Sequence, residues 1–341
     1  MMEIEKKHRR TVAAMLIALV VCILGSFTLG RYPVSIPELL GVLGSRLGLP
    51  ITPFWTDPVE AAVWNIRLPR VVLSVLVGCC LAAAGASYQG VFQNPMASPD
   101  ILGASAGAGF GAALAILLGA SSVGITLGAF GASLLTVALV FSVSRHAKGD
   151  RVLGLVLVGI MISSLFQSGT SFLKLVADPN NQLPQITYWL MGRLSGAKWG
   201  DILFVLPPML AGLIPLLLMR WQLNVITMGD DEARAMGVNA PRIRLWIVIC
   251  STLVTASAVS VSGTIGWVGL VIPHMMRRVV GSDYRFLMPA SMLGGGIFLL
   301  VVDNVSRNVT TAGIPIGILT AFIGAPFFLW LITGKGDHYE H

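Results

Sequence analysis

Residues 228–244 read MGDDEARAMGVNAPRIR and gather Asp230, Asp231, Glu232, Arg234, Arg242 and Arg244 in one short segment. The whole chain of 341 residues holds only 23 Lys and Arg and 16 Asp and Glu. Carboxylates and guanidiniums this close can form ion pairs or present charge to a partner. Asp230, Asp231 and Glu232 fit the first turn of a helix, where negative charge meets the positive end of the helix dipole. Ala233, Arg234, Ala235 and Met236 extend that helix between Gly229 and Gly237, and Gly237 stops it. Asn239, Ala240 and Pro241 then reset the chain. The expectation is a short surface helix within about 228–240. On these residues alone it is either a solvated loop helix or a docking element, with Ala and Met giving contact and the charges giving register.

Other chemistry is sparse. Nothing matches the phosphate-binding pattern G-x-x-x-x-G-K-[ST], because Lys335 is followed by Gly336, so that mode of ATP binding is excluded. H-E-x-x-H and G-x-S-x-G are also absent, and no catalytic or metal-ligating set is expected. Cys22, Cys79, Cys80 and Cys250 form no C-x-x-C. Asp100, His274 and Asp303 lie near the ends of apolar stretches. They read as interfacial or capping groups, with intramembrane catalysis as the alternative. Ser163, Ser164, Gln167, Ser168 and Thr170 make a polar stripe in an otherwise apolar run. Ser164, Gln167 and Ser168 share one helical face, which either lines a path or bonds a neighbouring helix.

These groups are embedded in a chain that is 55% hydrophobic and 11% charged, with a mean hydropathy of +0.80. Soluble domains carry about 25% charged residues. Residues 11–29, 71–99, 101–144, 152–173, 202–219, 245–276, 286–302 and 308–334 contain no Asp, Glu, Lys or Arg. A bilayer is crossed by roughly 20 apolar residues in a helix, and lipid demands that the backbone satisfy itself. The longest runs must fold back, near 119–124 and 262–264. The expectation is an all-α, polytopic membrane protein, one transmembrane domain over 1–341, with about ten spans at 11–30, 66–92, 96–118, 122–144, 152–175, 200–219, 243–262, 265–280, 285–306 and 314–333.

The net charge of +7 sits in short loops at Lys6-Lys7-His8-Arg9-Arg10, Arg145-His146-Ala147-Lys148, Arg242-Ile243-Arg244 and Arg277-Arg278, the pattern of cytoplasmic loops rather than of nucleic-acid binding. An even number of spans puts both termini in the cytoplasm, with 31–65 and 177–198 outside. The first span reads as a retained anchor rather than a signal peptide. Gly103, Gly107 and Gly111 recur on one helix face and predict close helix contact. A long span followed by a Pro-broken turn occurs in both halves, after Arg67-Leu-Pro-Arg70 and after Arg242-Ile-Arg244. That order suggests an inverted repeat relating spans 2–5 to 7–10, as in many transporters.

LPRVVLSVLVGCCLAAAGASYQGVFQNPMASPDILGASAGA from residue 68, GTIGWVGLVIPHMMRRVVGSDYRFLMP and IPIGILTAFIGAPFFLWLI resemble the permease subunits of ATP-binding-cassette importers for ferric siderophores, haem and cobalamin. The resemblance covers about residues 11–333. It implies ten membrane helices, a dimer of permeases around one path, a separate cytoplasmic ATPase, a substrate-binding protein outside, and no enzyme activity or cofactor in this chain. The segment from Gly229 to Gly237 resembles the family's short coupling helices, which dock on the ATPase. Arg67, Arg70 and Arg307 stand where the family presents arginines to the binding protein; snorkelling anchors are the other reading. Ser164, Gln167 and Ser168 are candidates for the path. One departure is Gly313 in Ala312-Gly313-Ile314-Pro315, where the family usually has Glu. The competing reading, a stand-alone ion-coupled transporter, needs acids near the membrane midplane, and no predicted span has one at mid-depth.

Overall fold

A computed structural model describes residues 2–30, 32, 34–146, 151–310 and 313–333; the expectations for Ala147, Lys148, Ala312 and Lys335 lie outside them. Every regular element among these residues is a helix. After α1 (Met2–Thr28), α2 (Ile36–Arg46) starts on a reciprocal cap. Glu38 N donates to Ser35 Oγ at 3.4 Å, and Ser35 N donates to the Glu38 carboxylate at 2.9 Å. Helix α3 (Asp57–Ala61) passes through a wide π turn (Ala62–Arg67) into α4 (Leu68–Val91), giving one rod from Asp57 to Val91. A 3₁₀ turn (Pro99–Leu102) precedes α5 (Ala104–Leu117), α6 (Ser122–Ser144) and α7 (Arg151–Val176). There follow α8 (Gln182–Leu190), α9 (Trp199–Leu218), α10 (Arg220–Met228), α11 (Asp230–Ala235), α12 (Ala240–Ser262), α13 (Val268–Val280), α14 (Tyr284–Val309) and α15 (Ile316–Thr333).

Among the described residues, seven helices are long and apolar enough to cross a bilayer. α5, α13 and α15 occupy the other three expected spans and are shorter, at 14, 13 and 18 residues. The expected span 96–118 is broken because Pro99 lacks an N–H and Gly103 takes a left-handed φ of +75°. The expected span 265–280 begins late because Gly263 (φ +69°) and Trp267 (φ +72°) turn the chain before Val268. Both halves therefore run long helix, broken connection, short helix: α4 to α5, and α12 to α13. The expected outer loops also need amendment, since 31–65 contains α2 and 177–198 contains α8. α2 and the start of α3 enclose a small core of Phe27, Leu39, Val42, Trp55 and Val59.

α4 and α12 form the buried centre, whereas α7 is almost wholly exposed. Small residues make this packing. A Cβ on Gly78 (α4) would stand 2.2 Å from Gly295 O (α14), and one on Gly85 would stand 1.8 Å from Gly269 O (α13). The expected glycine face of α5 behaves alike: a Cβ on Gly107 would meet Thr136 Oγ1 at 2.0 Å, and one on Gly111 would meet Gly128 O at 2.2 Å, both on α6. Backbones this close gain dispersion contacts that lipid cannot replace.

The bundle has two distinct ends. At one, His8 packs edge-on to Phe286 at 5.3 Å and Asn224 of α10 accepts from Tyr284 N at 2.7 Å; this is the α11 end. At the other lie α2, Tyr32, Arg67 and Arg307. Replacing Gly78 with Val should cost about 1–3 kcal/mol through overpacking, read as a lowered thermal unfolding midpoint in detergent. Gly131→Ala, at a position with open space around it, should leave that midpoint unchanged.

Candidate functional site

At the α11 end the charged segment is a short helix, as expected. Gly229 precedes it with φ +133°, Asp230, Asp231 and Glu232 fill its first turn, and Gly237 follows with φ +77°. Ala233 is fully buried while Asp231, Glu232, Arg234, Ala235 and Met236 are exposed. The two apolar contacts expected of Ala and Met thus divide: Ala233 anchors the helix inward and Met236 faces out. Arg244 of α12 clamps Asp230, Nη1 to Oδ2 at 3.0 Å and Nη2 to Oδ1 at 2.6 Å. Asn239 Oδ1 accepts from Arg242 N at 3.1 Å and caps α12. Upstream, Gln93 Nε2 donates to Ile226 O of α10 at 2.9 Å, and Asn224 Nδ2 donates to Asp283 Oδ1 at 2.7 Å. Burial acts to raise the Asp283 pKa, but its bonds from Arg285 and Asn224 outweigh burial and hold it below the usual carboxylate range. The α10–α11 element is therefore pinned to α4, α12 and the α13–α14 turn, with one charged face left open. A groove of about 1280 Å³ beside it is lined by Arg145, Arg242 and Arg244.

At the opposite end the three expected docking arginines come together but are not free. Arg67 is buried and donates to Phe27 O and Tyr32 O. Arg70 grips Asp303 in a forked pair, Nε to both carboxylate oxygens at 3.0 Å and Nη2 to Oδ1 at 2.8 Å. Arg307 donates to Ser26 O at 2.7 Å, Ser26 Oγ at 2.6 Å and Asn304 Oδ1, while its buried Nε has no partner. Asp303 is fully buried, so it is a structural counter-ion and not the interfacial cap expected of it. All three arginines border a cavity of about 960 Å³ that also takes in Tyr188, Asn308 and Arg193. Sequence reasoning missed Arg193, whose position between α8 and α9 is its only sign. Gly313 borders the same cavity with φ +75°, a left-handed conformation that strains Glu.

A second cavity of about 750 Å³ adjoins the first and shares Met191 and Ile318 with it. Its walls are mostly apolar, with Trp267 and Phe322 prominent, and Asp100 is its one charged residue. Asp100 accepts from Ser105 Oγ across the 3₁₀ turn and so braces the entry to α5. His274 is buried in α13. The stripe of Ser164, Gln167 and Ser168 lies on the exposed face of α7 and lines none of these cavities. Ser164 Oγ turns back on its own helix, donating to Ile160 O at 2.9 Å, as serines in apolar helices do.

Among the described residues no His, Cys, Asp or Glu cluster could hold a metal. Removing one partner of the buried Arg70–Asp303 pair should be severe. Asp303→Leu alone should cost about 3–5 kcal/mol, and the double variant Arg70→Met/Asp303→Leu clearly less. Thermal unfolding of the three proteins in one detergent reads the difference.

Comparison with known proteins places this geometry. Residues 18–334 match the FecCD transport family. The chain is 39% identical over 311 residues to the molybdate import system permease protein MolB of Haemophilus influenzae, covering 91% of each chain. It is 37% identical over 338 residues to the hemin transport system permease protein HmuU of Yersinia pestis, covering 95% of each. Among solved structures, a metal-chelate type ABC transporter in an inward-facing conformation superposes with a TM-score of 0.85 at 36% identity, covering 95% of this chain and 99% of that one. A stand-alone ion-coupled transporter is thereby set aside, and no catalytic role is assigned to the chain. The chain belongs to the FecCD transport family, the multi-pass permease subunits of ABC importers.

Proposed function

We propose that the chain passes an iron chelate, a ferric siderophore or haem, or else a corrinoid, from a binding protein at the α2 end to the cytoplasm at the α11 end. It does so with a second permease subunit. The observation that carries this reading is α11: a rigid helix clamped by Arg244 and anchored through Ala233, with a charged face that no other part of the described chain covers. Such an element suits docking on a cytoplasmic ATPase and passing its movement to α10 and α12. In this reading the arginines at this end, including Arg145, Arg220, Arg242 and Arg244, mark the cytoplasmic side, as the positive charge of cytoplasmic loops would, and both termini belong to that side. The cavity of about 750 Å³, with its mostly apolar walls including Trp267 and Phe322, suits a bulky chelate better than a small tetrahedral oxyanion. The exposed polar stripe of α7 faces the second subunit in this reading and completes the path.

Ala233→Pro removes the Ala233 N to Gly229 O bond of 3.1 Å and breaks α11. The variant should reach the membrane at normal levels yet lose co-purification with the ATPase and ATP-driven uptake. Undiminished co-purification would count against the assignment.

Binding-protein docking at the α2 end draws on Arg67, Arg70 and Arg307 in this reading, with the positive field coming from Arg67, Arg193 and Arg307, since Asp303 neutralises Arg70. Arg307→Glu should weaken binding of the cargo-loaded binding protein, and more at low than at high ionic strength, while Arg307→Lys stays near normal. Surface plasmon resonance on nanodisc-held permease checks this; equal affinities at low salt would refute it.

A further inference from the structure

Pro273 sits inside α13. Lacking an N–H, it leaves the carbonyl four residues back, that of Gly269, without its helical partner. A side chain from α4 supplies one. Gln89, itself buried, donates from Nε2 to Gly269 O at 3.4 Å and to Leu270 O at 3.3 Å. The other half of the same amide, Oε1, accepts from Arg277 near the opposite end of α13. Arg277 makes no ion pair among the described residues. Its second bond goes to Tyr284 Oη at 3.2 Å, which donates onward to Ala86 O at 3.1 Å. One amide thus bridges the proline break and the charged end of the same short helix.

Three further features give that bridge mechanical meaning. α4 and α13 touch backbone to backbone at Gly85 and Gly269, so a pivot lies beside the freed carbonyl. On one side of the break, α13 leads back to Trp267, which is held at φ +72°, packs against Phe328 and lines the 750 Å³ cavity. On the other side, Tyr284 is tied through its N–H to Asn224 of α10, which runs through Gly229 into α11.

We propose that Gln89 is a positioning residue for transport, holding the two halves of α13 together across the Pro273 break so that a displacement received at α11 is delivered to Trp267 and the cavity wall. The inference rests on α11 being the ATPase contact. A bridge that merely satisfied a stray carbonyl would add stability; this one also sets whether the cavity responds to nucleotide.

The test places spin labels at Gly266→Cys and Ala321→Cys, both lining the cavity, with the native cysteines replaced. The permease is held with its ATPase in nanodiscs, and the label distance is measured without nucleotide and after trapping with ATP and orthovanadate. The parent complex should shift on trapping, and Gln89→Leu should assemble but lose the shift. Pro273→Ala restores an N–H to Gly269 O, which makes the clasp redundant, so adding Gln89→Leu to Pro273→Ala should change nothing further. A parental shift in Gln89→Leu overturns the proposal, as does an equal loss with and without Pro273. Arg277→Gln, which breaks only the lower half of the bridge, should also lose the shift, and a normal response there overturns the proposal even if Gln89→Leu fails to assemble. A parent complex that ignores nucleotide overturns the reading of α11 and this inference with it, whereas a normal parent with a normal Gln89→Leu overturns this inference alone.

Discussion

Close backbone contact between helices is the constraint on which the rest of the structure depends. Lipid tails are as apolar as leucine, so little hydrophobic force draws one span onto another. What remains is dispersion, and it requires that backbones approach. Gly78 against Gly295 and Gly85 against Gly269 bring α4 to α14 and α13 at distances where no Cβ fits. With the centre fixed this way, the ends of α4 have set positions: Arg67 and Arg70 at one, Gln89 and Gln93 at the other. Both ends then bond to elements far away in sequence, Asp303 and Phe27 at the first, Leu270, Arg277 and Ile226 at the second.

The two ends solve different electrostatic problems. At the α2 end, Arg70 is half-enclosed and Asp303 fully buried, so each is tolerable only because the other is present in forked geometry. Among the described residues Arg67 and Arg307 form no ion pair and lean on backbone carbonyls, a serine and Asn304. This end keeps a net positive field even though its arginines are held. At the α11 end the acids are on the surface, and a single pair, Arg244 with Asp230, fixes the short helix to α12. The first end presents a field and the second presents a shaped handle, which under the proposed function matches a soluble partner that must come and go and one that must transmit force.

Much of this was legible in the sequence. The ten expected spans map onto helices because lipid requires self-satisfied backbone, seven of them among the described residues long enough to cross and three shorter. α11 was legible because acidic residues, a stopping glycine and a following Asn-Ala-Pro each have a local cause. The misses share another cause. α2 and α8 are short and amphipathic, held by contacts such as the Arg46 Nη2 bond to Glu60 Oε1 at 2.6 Å and the Gln182 bond to Leu117 O at 3.0 Å, which no local pattern announces. The arginines at 67, 70 and 307 gather at one end of the bundle, but their partners lie up to 281 residues away. The α7 stripe was visible as a stripe, yet which way a helix faces in a bundle is decided by its neighbours.

Irregular backbone explains why the cavity lies where it does. A chain inside a bilayer keeps non-helical segments only where protein or a water-lined space surrounds them. Here the 3₁₀ turn at Pro99–Leu102 and the turn from Gly263 to Trp267 are broken by Pro and positive φ, and both contribute to the same 750 Å³ space through Asp100, Thr264 and Trp267. Gly192, also at positive φ, accepts from Ile316 N at 2.9 Å and brings the start of α15 to the same place. Three interruptions from separate parts of the chain therefore converge on one chamber. A smooth, fully helical wall has one stable shape. Walls made of short helices joined by turns can change tilt while each segment keeps its own hydrogen bonds, which is what a path that must open at one end and then the other requires.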